Sequence, residues 1–151
     1  MTTLDFAERN VTFSKPATPI TGRFNLAFYP FLKKPMEAAD DIRCKRLVIY
    51  KASSCMGSVL GEIITTKRIA CDVGDQISIC QTDEKAKNYF KTRLRPWLGI
   101  IPDLRRLLSS DKYAVTGSLI QFRHKDVFIF GPGINSAQSD QVRYVQSDES
   151  H

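Results

Sequence analysis

Seven basic residues, Lys85, Lys87, Lys91, Arg93, Arg95, Arg105 and Arg106, are interleaved with Tyr89, Phe90 and Trp97 in one stretch of the chain. Cations in such company suit one chemistry: they neutralise phosphates, while an exposed aromatic ring beside them stacks on a base. At about 100° per residue, Phe90, Leu94, Leu98 and Ile101 share one helix face, Lys91 and Arg95 fall beside it, and Arg93 lies on its other flank. Basic side chains then border an apolar stripe. That pattern suits a helix lying on an anionic surface, its stems covering apolar neighbours, and equally an RNA-binding face. It also describes an ordinary amphipathic helix whose stripe is core and whose charges are solvated, and Trp97 reads better as core than as exposed.

Lys33, Lys34, Arg43, Lys45 and Arg46 form a second basic set, and Lys67, Arg68, Arg123 and Lys125 a third at predicted turns. Turns collect charge in any case. The polyanion-binding candidates are therefore Lys85, Lys87, Lys91, Arg93, Arg95, Arg105, Arg106, Arg123 and Lys125.

Catalytic chemistry finds no template. The chain has no G-x-x-x-x-G-K-S/T, no G-x-G-x-x-G, no G-x-S-x-G and no H-E-x-x-H. Asp40 with Asp41 and Asp83 with Glu84 are adjacent carboxylates, but neighbours on a helix point apart, so neither pair is a ready acid and base. Cys44, Cys55, Cys71 and Cys80 lack the close spacing of a zinc site and read as free thiols; with only His124 and His151, a Cys–His nucleophile is poorly supported. The residues imply no enzyme, no cofactor and no metal. Gly131-Pro132-Gly133 follows a strand without opening a helix, so it reads as a chain exit rather than a phosphate loop.

The elements that would position these side chains belong to a single core, since 151 residues fit one domain. Residues 1–19, with Pro16 and Pro19, read as a mostly extended polar arm, residues 20–131 as one globular domain, and residues 132–151, aperiodic and acidic, as a disordered tail. Alternation predicts a strand around Phe24–Phe28, and Pro35 a short helix to Ile42. Leu47–Tyr50, Val59–Thr66 and Ile69–Val73 read as short strands, and the turn at Asp72–Asp75 leads into another over Gln76–Gln81 as a hairpin. Thr82 or Asp83 caps a helix that Pro96 should break or kink, and Pro102 starts a second helix burying Leu104, Leu107 and Leu108. Tyr113–Phe122 and Val127–Phe130 form a hairpin across Arg123–Asp126. The fold class is α+β, an antiparallel sheet against two or three short helices, because the strands come in local runs rather than strict alternation with helices.

Twenty-two Lys and Arg against sixteen Asp and Glu leave a net charge of +6, which attracts nucleic acid or acidic lipid. No run approaches the roughly 18 apolar residues of a spanning helix, and the first residues carry no secretion signal. The expected location is the cytoplasm or nucleus of a host cell, with membrane contact only peripheral.

A polar Pro-containing arm, a compact mixed domain and a basic charge, with the stretch Gly22–Tyr29, a following Pro and the acidic segment Pro35–Ile42, make Ile20–Gly131 resemble the small matrix proteins of rhabdoviruses. The arm departs from that family in lacking PPxY and PTAP; Pro16-Ala17-Thr18-Pro19 only echoes the latter. The resemblance implies a non-enzymatic, self-associating structural protein that binds nucleoprotein and anionic membrane through basic surfaces, as a homo-oligomer. The residues alone leave open a second reading, a small RNA-binding regulatory module such as a viral silencing suppressor.

Overall fold

Thr2 opens the first helix, α1 (Thr3–Asn10), through a reciprocal cap: its hydroxyl accepts from the Asp5 amide at 3.1 Å while the Asp5 carboxylate accepts from the Thr2 amide at 3.3 Å. This is a computed structural model, and it describes residues 1–13, 21–50, 56–111, 114–116, 119–131 and 142–147. The sequence expectations at 14–20, 51–55, 112–113, 117–118, 132–141 and 148–151 lie outside the described residues. The chain forms two compact units, Met1–Lys67 and Arg68–His151.

In the first unit, α1 packs on α2 (Lys33–Asp40), burying Phe6, Ala7, Leu32 and Met36. Asp40 ties the two together, accepting from the Thr3 amide at 2.6 Å and from the Thr3 hydroxyl at 2.7 Å, with Lys67 Nζ at 3.4 Å. Strands β1 (Thr12–Phe13) and β2 (Gly22–Arg23) pair antiparallel, and Gly22 takes φ 112°, open to glycine without strain. Above them Phe24 and Tyr29 stack with ring centroids 6.0 Å apart, and Phe13 meets Phe24 edge-on at 6.2 Å. Phe24–Phe28 is not the predicted strand: Leu26–Phe28 is a 3-10 turn, initiated where the Asn25 side chain accepts from the Ala27 amide.

Helix α3 (Gly57–Cys71) replaces the two strands predicted over Val59–Thr66 and Ile69–Val73. Its β-branched residues favour strands only weakly against burial: Val59, Leu60, Ile63, Thr65, Thr66 and Ile69 are all buried, so no polar face gives the helix away. Thr66 satisfies its hydroxyl by donating to the Glu62 carbonyl at 2.7 Å. Leu47–Tyr50, also predicted as a strand, forms no strand pairing among the described residues and is exposed.

The second unit is built on a four-stranded sheet in the order β4 (Leu119–Phe122), β5 (Lys125–Phe130), β3 (Asp75–Ile79), β6 (Val142–Ser147). The β4–β5 hairpin is antiparallel, as its sequence predicts, with Gln121 opposite Asp126. The predicted Gln76–Gln81 hairpin partner is absent; β3 pairs parallel with both β5 and β6 instead. The class is α+β, with one small antiparallel sheet and one mixed sheet. As the central strand, β3 buries Gln76, Ile77 and Ser78, while β5 buries Val127 and Ile129.

Thr82 caps α4 (Asp83–Tyr89), its hydroxyl accepting from the Lys85 amide at 3.1 Å. The helix then runs through a π turn (Phe90–Leu94) into α5 (Arg95–Ile100), so Pro96 neither breaks nor ends it. Proline in the first turn of the new segment needs no amide bond, and the wider turn before it absorbs the change in register. Pro102 starts α6 (Pro102–Leu107), whose exit joins the sheet through the Ser109 amide on the Gln121 carbonyl at 3.0 Å. No helix among the described residues is long and apolar enough to cross a membrane.

Candidate functional site

Three parallel strands place their carboxyl ends on one edge of the sheet and their amino ends on the other. The amino edge is filled by the protein's own bonds. Lys125 is only 5% exposed, and its ammonium donates to the carbonyls of Arg68, at 3.0 Å, and Asp72. Burial pulls its pKa below the ordinary lysine range, with Asp72 opposing that shift. Nearby, the Arg68 guanidinium lies 4.2 Å from the Tyr144 ring centre, Arg143 donates to the Val73 carbonyl at 2.9 Å, and the Asp126 amide donates to Asp75 at 2.8 Å. These groups hold the fold.

At the carboxyl edge, Asp83 Oδ1 accepts from the Gly131 amide at 3.1 Å, fastening the start of α4 to the end of β5. A Cβ at Gly131 would overlap the Asp83 amide and carboxylate, so only glycine fits this close approach.

The start of α3 has a different chemistry. Met56 takes the left-handed conformation, φ 55°, and its carbonyl accepts the first helical bond, from Leu60 at 2.9 Å. Such a conformation is uncommon for a side-chain-bearing residue and turns the chain sharply into the helix. The helix geometry gives the first-turn amides no intrahelical acceptor, and the aligned peptide dipoles make this end positive, which suits a phosphate oxygen. Ser58 adds a hydroxyl beside them. Ser58 and Val59 occupy the places that Lys and Ser or Thr hold after the second glycine of the G-x-x-x-x-G-K-S/T pattern, and Val59 is buried. Sequence reasoning missed Gly57 and Ser58 because the residues after them were read as a strand.

The basic candidates are placed as follows. Lys85, Lys87, Lys91, Arg93 and Arg95 are exposed along α4, the π turn and α5, whereas Ala86, Phe90, Leu94, Trp97 and Leu98 are buried. The apolar stripe is core, Trp97 included. Lys85 binds the Gln81 side chain, Arg105 donates to the Gly99 carbonyl at 2.9 Å, and Arg106 pairs with Asp103. Arg123 is exposed at the β4–β5 turn, and Lys125 is buried as described. Among the described residues, Lys87, Lys91 and Arg95 form no ion pair. No group of His, Cys, Asp and Glu among the described residues could hold a metal ion.

A family model described as phage terminase large subunit gpA, ATPase domain, matches residues 18–151. No curated protein and no solved structure matched the chain. The family match overturns the resemblance to rhabdovirus matrix proteins, and with it the non-enzymatic, membrane-peripheral structural role and the silencing-suppressor alternative. It also corrects the expectation of no enzyme, and replaces nucleoprotein, RNA and anionic membrane as expected partners. Those readings rested on net charge and on the order of segments, which any polyanion-handling protein shares. With nearly all of its length matched, the chain belongs to the phage terminase large subunit gpA ATPase-domain family.

Proposed function

We propose that this chain is an ATP-hydrolysing segment of a DNA-packaging motor and that it receives nucleotide phosphates at the start of α3. The observation that carries the reading is the sharp, left-handed entry at Met56 into a long helix beginning at Gly57, within a chain of a terminase ATPase family. Phosphate contact there falls chiefly to first-turn amides and the Ser58 hydroxyl, because the residue directly after Gly57 is Ser58 rather than a lysine. Lys51 is the one basic residue between Tyr50 and Gly57 and is the candidate for the phosphate-balancing charge.

The test is ATP binding and phosphate release by the whole chain, with Ser58→Glu as the key variant. A carboxylate in a first helical turn favours the helix yet repels phosphate, so the fold should persist while nucleotide affinity falls at least tenfold. Lys51→Ala should weaken binding as well. ATP binding that Ser58→Glu leaves unchanged would remove the start of α3 from the reading.

A further inference from the structure

The continuous helical run through α4, the π turn and α5 carries a regularity that an α-helix of this length could not. Ala86, Phe90, Leu94 and Leu98 are all buried, at a strict four-residue spacing. In a regular α-helix each four-residue step drifts by about 40°, so the first and last of these would face directions about 120° apart. The π turn, with roughly 4.4 residues per turn, turns the drift back and keeps the stripe on the core.

The same correction acts one position further along, on Lys87, Lys91 and Arg95. All three are exposed, all recur at four-residue spacing, and the second step, from Lys91 to Arg95, runs through the π turn. They therefore form a straight row beside the buried stripe. From the rise per residue the row is about 10 Å long, enough to follow several successive phosphates of one DNA strand, which advance about 3.4 Å per nucleotide along the duplex. The rings in this stretch do not offer a base platform: Phe90 and Trp97 are buried and Tyr89 is half-buried. What this stretch leaves on the surface is cationic charge without an aromatic stacking platform.

We infer that Lys87, Lys91 and Arg95 form a phosphate-tracking row that holds duplex DNA without regard to sequence. The choice of DNA rests on the terminase reading above; the row itself rests on the helix geometry. Motor transport requires contact of this kind, since a segment that reads bases would stall at its preferred sequence.

The experiment measures binding of the full chain to a duplex of random sequence across salt concentration, without nucleotide, so that failure of the ATPase reading leaves the result interpretable. Lys87→Gln, Lys91→Gln and Arg95→Gln combined should weaken binding at least tenfold and lower the slope of log affinity against log salt by about 2 to 3, since each phosphate contact contributes roughly 0.9. A second variant, Lys87→Gln with Asn88→Lys and Lys91→Gln with Thr92→Lys, keeps the net charge while moving two cations off the row, and should also bind more weakly. Wild-type affinity in the relocated variant would show that net charge alone binds DNA and would overturn the row. An RNA duplex of the same sequence bound more tightly than DNA would overturn the partner.

Discussion

Lys125 Nζ donates to the backbone carbonyl of Arg68 at 3.0 Å, joining the first residue of β5 to the last turn of α3. A cation at a helix C-terminus balances the negative end of the peptide dipoles, and this one also reaches the Asp72 carbonyl. Lys125→Ala should cost about 2 kcal/mol in urea unfolding, because it strands two carbonyl acceptors in a buried place. A stability unchanged within error would show that water replaces the ammonium freely.

The pH dependence of that contact has a definite sign. Burial lowers the folded pKa of Lys125 below the ordinary 10.5, so the unfolded chain holds this proton more tightly. The desolvation cost is present in full at neutral pH and falls away as pH rises from the folded value towards 10.5. Wild-type stability relative to Lys125→Met should therefore improve in alkaline solution, as paired urea titrations from neutral to alkaline pH would show.

Gly131 and Asp83 give a second measurement. Gly131→Ala forces a side chain into the Asp83 amide and carboxylate, so α4 must lift from the end of β5, at a cost of about 2 kcal/mol or more. Asp83→Ala loses one hydrogen bond and leaves the space open, and should cost only about 1 kcal/mol. Thermal unfolding of both variants would check the order, and the reverse order would discount the close approach.

The cap of α1 is testable in acid. Thr2→Ala should cost about 1 kcal/mol, as loss of a side-chain cap usually does. Hydrogen bonds from Thr2 hold Asp5 below its ordinary pKa of 3.8, so its contribution is complete above that value and disappears as pH falls through the lower folded value. The stability gap between wild type and Thr2→Ala should therefore narrow as pH falls from 3.8 through the lower folded value, leaving the share of the Thr2 hydroxyl bond to the Asp5 amide, read by circular dichroism of the whole chain.

Arg105 separates structural cations from those of the proposed DNA row. Its guanidinium closes α5 on the Gly99 carbonyl, so Arg105→Gln should lower stability by about 1 kcal/mol yet leave the salt slope of DNA binding unchanged. A slope reduced as much as by losing Lys91 would place Arg105 on the DNA surface.

What was legible in the sequence were the elements with a local signal. Thr82 marks the start of α4, Pro102 the start of α6, and Arg123–Asp126 the turn between β4 and β5, each through a cap, a fixed φ or a tight polar link. Helix α3 was illegible because it is buried on several sides and rich in β-branched residues, so it shows neither an amphipathic period nor a helical composition. Strand β6 was hidden for another reason: its pairing with β3 is parallel and distant in the chain, and no turn announces it. The basic helix was legible, but not its straightness, since a π turn has no simple spacing rule. The proposed nucleotide site escaped because Ser58 and Val59 depart from the usual loop pattern, while the family relation is spread over residues 18–151.

The parallel pairing of β3 sets the order in which this molecule can be made. Its residues, 75–79, leave the ribosome long before either strand that flanks them, 125–130 or 142–147. Contacts so distant in sequence form slowly and must wait for synthesis to supply their second half. Until those strands arrive the nascent chain carries β3 with Ile77 and Ile79 uncovered and both hydrogen-bonding edges open, which makes β3 the segment where binding by a chaperone would do most to keep newborn chains from pairing with each other.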